Sequence, residues 1–396
     1  AMRDVAIVGV GSTQFGRAQW SLLKMMCEAS HDAIEDAGLG ERKLDAVYVA
    51  NMGAPRNNRM AGLSSALVDR LNLYPHTVSE TIENGPASGA SAVKHALHSV
   101  ASGHCDLVLV CGGERMQEVN NFEATEFVSY LSHRYAEYVY GVTLPALAGM
   151  FTRLYMERHG LEPRHLAMVA IKNHRNGARN PKAHLRIPVT MEGILTGPDA
   201  LNNNPWIAEP LRFFDCCPVS DGASAVLLAP AEMAKGFRKT PVRIAGVGQA
   251  TDSQAVQDRP DPTELTAVRL AAERAFAMAK LSPQDMDVAE LHDAFTILEI
   301  AESEECGFFA KGEGHRALER GETAIEGRLP INPSGGLKAR GHPVGNTGVS
   351  QIVELTLQLR GEAGDYQVPN RPKRGFAVNF GGFGNNVVAT VLERGV

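Results

Sequence analysis

The sequence lacks several features that would place it in a specialised class of protein. No apolar run reaches the roughly 18 residues that a membrane-spanning helix needs. Its six cysteines show no paired metal-ligand spacing and lie mostly within apolar stretches, which is typical of reduced, buried thiols. A formal net charge of −6 argues against nucleic-acid binding as the main task. We therefore expect no membrane, metal or nucleic-acid site.

The composition that is present is that of an ordinary globular chain. With 396 residues, 44% hydrophobic and 21% charged, it has ample material for a large core in two or three domains. The N-terminus passes directly into the strand-like segment 5–9, without a basic-then-apolar leader. A cytoplasmic protein is the expectation.

The order of elements in the first part of the chain recurs towards its end. The matching segments are 5–11 with 242–248, the helices that end at 37–39 and 279–281, 44–47 with 286–289, the helices after Gly85 and Gly345, and 106–113 with 375–382. Two βαβ-rich halves in one order imply an internal duplication. The sequence thus predicts an α/β fold with an N-terminal half at 1–118, a less regular domain at 119–235 and a C-terminal half at 236–396.

One stretch, residues 81–93, combines a Gly/Pro turn with a run of small residues. Asn84, Gly85 and Gly89 supply backbone freedom, and Ser88 is a candidate N-cap for a helix that runs to Ser102. A helix of such small residues can be buried on all sides, with its N-terminal N–H groups pointing at a reacting oxygen. The alternative is a buried packing helix without chemistry.

Three motifs in series resemble those of the thiolase superfamily, in particular its lipid-transfer-protein-type and archaeal-type branch. They are Glu83-Asn-Gly-Pro-Ala-Ser-Gly89, His292-Asp-Ala-Phe295 and Gly341-His-Pro-Val-Gly-Asn-Thr-Gly348. The resemblance covers nearly the whole chain. It implies a thiolase fold of five αβαβα layers, in which two separate mixed sheets sandwich buried helices, with duplicated halves and a loop domain that covers the site. It also implies at least a homodimer, formed through the strand equivalent to residues 106–112.

The resemblance assigns roles to individual positions. His342 matches the histidine that activates the family's nucleophilic cysteine, and His292 matches a residue of the oxyanion hole for the enolate. Asn379 is carried over as a third catalytic residue, and Ser88, Gly89, Gly381 and Gly382 as oxyanion and loop positions. Coenzyme A, as acyl-CoA substrate, is expected to contact a basic loop at 172–182. The CoA-binding candidates are Lys172, His174, Arg175, Ser334 and Gly335.

The main departure from the family is Pro86, which stands where the cysteine is expected. Proline has no side chain that can attack a thioester. Three functions remain open at this point. The first is a thiolase-type condensation or cleavage next to a thioester by a route without the cysteine. The second is retro-aldol cleavage of a 3-hydroxyacyl-CoA, and the third is a non-catalytic acyl-CoA-binding subunit. The superfamily's cysteine-free aldolases work with a small OB-fold and zinc-ribbon partner, so such a partner is a further expectation.

Overall fold

Nine strands form one mixed sheet in the computed structural model, which describes residues 2–396. The strands of the chain are β1 (Val5–Ser12), β2 (Ala46–Ala50), β3 (Val78–Ile82), β4 (Val108–Glu114), β5 (Trp206–Ala208), β6 (Leu211–Arg212), β7 (Gly222–Pro230), β8 (Val242–Thr251), β9 (Val288–Glu290), β10 (Arg374–Gly381) and β11 (Asn386–Arg394). Their order in the sheet is β3-β2-β4-β7-β1-β8-β11-β10-β9, and β5 and β6 pair separately.

The helices connect these strands and cover the faces of the sheet. They are α1 (Leu22–Ala37), α2 (Ala54–Asn57), α3 (Leu63–Arg70), α4 (Ser88–Ala101), α5 (Asn121–Ser129), α6 (Leu144–His159), α7 (Pro163–Arg179), α8 (Ala200–Asn203), α9 (Ala231–Ala234), α10 (Thr266–Ala279), α11 (Thr296–Glu305), α12 (Gly314–Glu319), α13 (Gly336–Ala339) and α14 (Thr347–Arg360). No helix within residues 2–396 is long and apolar enough to span a bilayer.

The predicted duplication is confirmed by the sheet order and by strand direction. Outward from the central pair, β1-β7-β4-β2 in one half corresponds to β8-β11-β10-β9 in the other. Counted outward from the centre of the sheet, the first two strand pairs of each half are antiparallel and the third pair is parallel. Strand β3 extends only the first half. The halves meet through a short antiparallel contact, in which Ala6 pairs with Arg243 and Ile7 with Val242.

Small residues make the same helix–strand contact in each half. A Cβ on Gly9 would lie 2.2 Å from the carbonyl oxygen of Ala33 in α1, and a Cβ on Gly246 would lie 2.1 Å from that of Ala275 in α10. No side chain fits at either position, so each helix lies directly against its strand. The repeated glycines and alanines of the sequence are therefore a packing requirement of both halves.

The five predicted layers are present. Helices α4 and α14 are enclosed in one apolar cluster with side chains from strands of both halves. Helices α1 and α3 cover the outer face of the first half. Helices α10 and α11 cover that of the second half, together with α6 and α7. The prediction of two separate sheets needs a correction, because the β1–β8 contact joins them into one.

The segment outside these layers ends earlier than the predicted 119–235. Strand β7 lies within that range, yet it pairs with both β4 and β1 and so belongs to the first half. Its apolar residues are buried on both faces, as expected for an interior strand. The covering segment therefore ends before Gly222.

The strand proposed for dimerisation is not available for that contact. Residues 108–114 form β4, which has β2 on one side and β7 on the other. A strand paired on both sides has no free N–H or C=O groups for another chain. The open edge of this half is β3, whose side chains are mostly exposed.

Candidate active site

The Pro86 turn lies at the N-terminal end of the buried helix α4. Gly85 adopts a left-handed conformation with φ of 55°, which glycine tolerates without strain. The Ser88 hydroxyl donates to the carbonyl oxygen of Gly85 at 2.5 Å and accepts from the N–H of Asn84 at 2.7 Å. Ser88 therefore braces the turn from the first position of the helix, and Ala87, not Ser88, occupies the N-cap.

Glycines let the two central helices touch at the site. A Cβ on Gly89 would lie 2.6 Å from the backbone nitrogen of Gly348, and a Cβ on Gly348 would lie 2.2 Å from that of Ala90. The N-terminal turns of α4 and α14 therefore meet. This contact brings the Pro86 turn of the first half beside the His342 loop of the second.

The His342 imidazole is held by the first residue of α14. Its Nδ1 lies 2.6 Å from the hydroxyl oxygen of Thr347, which is itself 3.3 Å from the carbonyl oxygen of Pro343. With the hydroxyl donating to that carbonyl, Nδ1–H donates to the hydroxyl oxygen. The lone pair of His342 is then on Nε2.

The opposite tautomer is imposed on His292. Its Nδ1 accepts from the backbone N–H of Phe380 and from the Asn379 amide, each at 3.3 Å. Because an imidazole nitrogen that accepts carries no proton, the proton of the neutral ring is on Nε2. The backbone N–H of His292 donates to Glu302 at 2.8 Å, which fixes the loop.

The two rings lie edge to face with their centroids 4.9 Å apart, and both line one cavity. Within residues 2–396 neither Nε2 has a hydrogen-bond partner. Burial, and secondly the charge of Arg340, lowers the pKa of His342 to about 3. Burial also lowers the pKa of His292, with His342 as the second cause. The site thus presents two neutral imidazoles at pH 7, one as hydrogen-bond donor and one as base.

Asn379 lies behind these rings and not in the cavity wall. Its amide donates to the carbonyl oxygen of Pro86 at 2.9 Å, and its own oxygen accepts from the N–H of Ala90 at 3.1 Å. Together with its contact to His292, this uses the whole carboxamide. Asn379 therefore positions the Pro86 turn and His292.

The glycine loop after β10 contributes one of its two predicted residues to the cavity. Gly382 lines it, with φ of 58°. Gly381 lies next to the Pro86 turn, where a Cβ would be 3.2 Å from that of Ala87. The loop therefore closes the cavity by backbone and leaves room for a ligand.

The rest of the cavity wall is mostly apolar. Its larger residues are Met116, Val128, Leu144, Phe295, Leu298 and Val344. Phe295 and Val344 lie within the sequence motifs, but sequence reasoning assigned none of these residues to a cavity wall, because nothing in their local pattern separates a cavity wall from a core face. Cys216 and Cys217 also line the cavity. Burial raises the pKa of both thiols, that of Cys217 to about 12, so neither is a thiolate at neutral pH.

The residues proposed to bind CoA are not brought together. The expected basic loop continues helix α7, which runs to Arg179. Lys172 is 5% exposed, and its ammonium contacts Glu299 at 2.9 Å and the carbonyl oxygen of Ile331 at 2.7 Å. Because this charge is already paired inside the protein, the structure gives no support to Lys172 as a phosphate contact, and that role stays a prediction.

The remaining four CoA-binding candidates differ in burial and in charge. Burial lowers the pKa of His174 to about 4, and its Nδ1 bonds the Ile187 carbonyl, so it carries no charge for a phosphate. Ser334 is fully buried and donates to Glu290 at 2.8 Å, and Gly335 is buried against Gly177. Arg175 alone of the five is exposed. Of the predicted CoA contacts, Arg175 is therefore the one whose side chain is open to a phosphate.

Comparisons with known proteins match this architecture over both halves. Residues 5–232 match the family described as thiolase, N-terminal domain, and residues 248–394 match thiolase C-terminal domain-like. The chain belongs to the thiolase family. An acetyl-CoA acetyltransferase of Methanothermobacter thermautotrophicus is 43% identical over 99% of this chain and 100% of its own length.

Two further relatives show how varied the family's chemistry is. A 17-hydroxy-3-oxo-4-pregnene-20-carboxyl-CoA lyase of Mycobacterium tuberculosis is 31% identical over 90% of this chain and 92% of its own. A solved Ltp2-ChsH2(DUF35) aldolase superposes with a TM-score of 0.84 at 26% identity, covering 99% of this chain and 98% of that one. The chain is a thiolase-family acyl-CoA enzyme, and relatives named sterol carrier protein 2 confirm the predicted branch.

Proposed function

We propose that the protein breaks or forms a carbon–carbon bond next to a CoA thioester without an acyl-enzyme, as a retro-aldolase of 3-hydroxyacyl-CoA. The observation that carries this proposal is Pro86. Proline removes the thiol and also the backbone N–H at the same position. An acyl-transfer site would need both the nucleophile and nearby N–H donors for a tetrahedral oxyanion.

The groups that an enolate requires are retained. In the proposed cleavage, Nε2 of His342 takes the proton of the 3-hydroxyl group. The bond between Cα and Cβ then breaks, its electron pair moves into the thioester as an enolate, and a carbonyl compound leaves. Nε2–H of His292 donates to the enolate oxygen, and the proton on His342 is returned to Cα. The products are the carbonyl compound and a shorter acyl-CoA.

The cavity supports an apolar substituent on the cleaved carbon. Besides the histidines, its polar side chains are two neutral thiols and the hydroxyl of Thr125. A charged substituent would lose its hydration there without gaining a partner. We expect apolar 3-hydroxyacyl-CoA substrates to react faster than those with a carboxylate at the same place.

A second candidate function is thiolase-type cleavage by direct attack of CoA on a 3-ketoacyl-CoA. The 43% identity to an acetyl-CoA acetyltransferase favours it. A binding-only subunit is the third possibility, and the two oriented imidazoles speak against it, since a scaffold needs neither. Assembly with a small OB-fold and zinc-ribbon protein remains part of the proposal, supported by the likeness to the Ltp2-ChsH2(DUF35) aldolase.

Product analysis separates these functions. The protein and its His342→Ala variant are incubated with an apolar 3-hydroxyacyl-CoA without free CoA, and separately with the matching 3-ketoacyl-CoA plus CoA. Release of the carbonyl compound from the first substrate, lost in His342→Ala, is the expected result. Activity on the 3-keto substrate alone would replace the proposal by the thiolase route. No reaction with either substrate, with acyl-CoA still bound, would support the function as a binding-only subunit.

A further inference from the structure

In the glycine loop that joins β10 to β11, a single residue borders two pockets. Gly382 lines the cavity that holds the two histidines, and it also lines a second pocket on the opposite side of the loop. The residues around this second pocket are mostly polar and include Glu83, Asp252 and Asn385. Because glycine has no side chain, main-chain atoms alone separate the apolar cavity from the polar pocket at Gly382.

The sequence of the loop leaves its conformation free. Gly382 and Gly384 are both left-handed, with φ of 58° and 78°. One turn bond runs from the N–H of Gly384 to the carbonyl oxygen of Gly381 at 3.1 Å. Glycine has a wider choice of backbone conformations than any other residue, so contacts from other segments must select this one.

Those contacts come from the segment that follows β8. The backbone N–H of Asp252 donates to the carbonyl oxygen of Asn385 at 2.9 Å. The Nη2 of Arg259 donates to the carbonyl oxygen of Phe383 at 2.6 Å. Within residues 2–396 this is the one hydrogen bond of the guanidinium, since its Nε and Nη1 have no partner. The Arg259 side chain is therefore committed to the loop.

The charge of Arg259 makes this bond a firm one. The residue is 6% exposed, and its Nε lies 3.7 Å from Oδ2 of Asp252, which compensates the buried charge. A charged donor holds a carbonyl oxygen more strongly than a neutral donor does. Arg259 thus anchors the loop at the residue that follows Gly382.

Direct contacts lead from this anchor to His292. The Phe383 ring packs edge to face against Phe380, with the ring centroids 5.9 Å apart. Phe380 lies against the His292 ring at a centroid distance of 5.8 Å, and its N–H donates to Nδ1 of His292 at 3.3 Å. A shift of Phe383 would therefore be passed on to the imidazole.

We propose that Arg259 is a positioning residue, which holds the glycine loop as a fixed wall between the two pockets and thereby keeps His292 in place. The inference rests on the proposed function, in which Nε2–H of His292 donates to the enolate oxygen. Arg259 does not border the cavity, so it acts through the loop alone. Without this anchor the loop would open locally, and His292 would lose its fixed orientation.

Arg259→Met tests this role, because methionine fills much of the same space and donates no hydrogen bond. We expect kcat for cleavage of an apolar 3-hydroxyacyl-CoA to fall about tenfold or more, because a displaced donor weakens transition-state binding. KM should change less than about threefold, since the apolar wall that binds the substrate stays in place. An unchanged kcat in a folded Arg259→Met protein would overturn the inference.

Arg360 supplies a matched control. Its side chain is as buried as that of Arg259, and it donates to the carbonyl oxygen of Thr240 at 2.9 Å and to Asp36 at 2.7 Å. It ends α14, about 20 Å along the helix from Thr347. Arg360→Met should reduce stability and leave kcat and KM unchanged. An equal loss of kcat in both variants would assign the effect to lost stability and contradict the proposed role.

A double variant covers the case in which Arg259→Met does not fold. Arg259→Met with Asp252→Asn removes both charges together, so no carboxylate is left without its partner. The same fall in kcat is expected, because the bond to the Phe383 carbonyl is still absent. A folded double variant with full kcat would count against the inference.

Hydrogen exchange gives a readout that is independent of turnover. Mass spectrometry of peptides that cover residues 382–385 reports how often the loop opens, and we expect exchange about tenfold faster in Arg259→Met than in Arg360→Met. Equal exchange rates in these two variants would overturn the inference, whichever substrate the enzyme uses. Faster exchange in a protein that cleaves no 3-hydroxyacyl-CoA would instead reject the proposed function and still support Arg259 as the anchor of the loop.

Discussion

Under the proposed function, Pro86 removes two groups from the site at once, the side-chain nucleophile and the backbone N–H donor. Its carbonyl oxygen still accepts from Asn379, so the turn keeps its support from β10. The change is therefore confined to chemistry at the cavity end of α4. This residue could be identified from the sequence alone, because it lies within the first of three motifs that occur in the family's order.

The first prediction concerns Pro86→Cys, with Pro86→Ala as its matched control. Both variants restore the N–H, and only the first adds a thiol next to His342. Incubation with a short acyl-CoA should give an acyl-enzyme mass shift in Pro86→Cys only, with thiolysis about a hundredfold above Pro86→Ala. A folded Pro86→Cys protein that remains unlabelled would show that position 86 is not the nucleophile position.

The second prediction concerns acid stability. Burial lowers the pKa of His174 to about 4, whereas an unfolded histidine titrates near 6.5. The unfolded chain therefore binds more protons between these values, so stability rises with pH and is lost as pH falls from about 6.5 to 4. The slope is about 1.4 kcal/mol per pH unit for each such histidine.

Urea titrations at pH 7, 6 and 5 check this prediction. His174→Gln should flatten the fall in unfolding free energy towards acid pH. His31→Gln, at an exposed position of α1, should leave it unchanged. An unaltered slope in His174→Gln would contradict the assignment of this histidine to a neutral, buried state.

At the scale of elements, α11 shows how the site is tied to its surroundings. Four glutamates of this helix are buried, and each contacts a different segment of the chain. Glu299 contacts Lys172 of α7, and Glu302 accepts from the backbone N–H of His292. Glu304 accepts from the hydroxyl of Tyr155 in α6 and from the N–H of Gly314. Glu305 contacts Lys311 and accepts from the N–H of Leu265. Helix α11 has the acidic sequence typical of a solvent-exposed helix, yet its buried glutamates hold several other segments of the protein together.

The third prediction concerns the α7–α11 contact. Glu299→Gln leaves the Lys172 ammonium buried without its counter-charge and should cost about 3–5 kcal/mol of unfolding free energy. Replacing both, as Lys172→Met with Glu299→Leu, should recover most of this loss. Urea unfolding measures both effects. Calorimetry should show unchanged acyl-CoA affinity in the double variant, and a large loss of affinity would restore Lys172 as a CoA contact.

These elements also show where sequence reasoning stops. The histidines, the glycine loops and the two halves are marked by motifs and by small residues at repeated spacings. The sequence analysis predicts a basic loop at 172–182, where the structure has the C-terminal part of helix α7. The prediction fails because the buried face of this helix carries polar residues, such as Asn173, which donates to Asp293 and Glu299. Apolar periodicity cannot reveal a polar interface. Nor can it reveal the histidine tautomers, since one of them depends on the backbone N–H of Phe380.

For the whole molecule, the open edge at β3 is the place at which we expect two copies to associate. The N–H of Val78 donates to the carbonyl oxygen of Asp45 within the sheet. Because the N–H groups of successive residues in a strand point to opposite sides, the N–H of Ser79 points outward. Two such edges can pair and extend the sheet.

The fourth prediction is that Ser79→Pro separates a dimer into monomers, because proline removes an outward N–H without disturbing the bonds to β2. Light scattering after size-exclusion chromatography measures the mass. Ser79→Ala, which keeps the N–H, should remain dimeric. A Ser79→Pro protein that is still a dimer would place the interface elsewhere.

The shared central layer has a consequence for synthesis on the ribosome. Strands β1 to β7 have all emerged by residue 230, yet α14, which covers part of their inner face, ends only at Arg360. The first half is therefore translated long before its apolar inner surface can be closed. Nascent chains of this protein should need protection by chaperones until α14, the last α-helix, has left the exit tunnel.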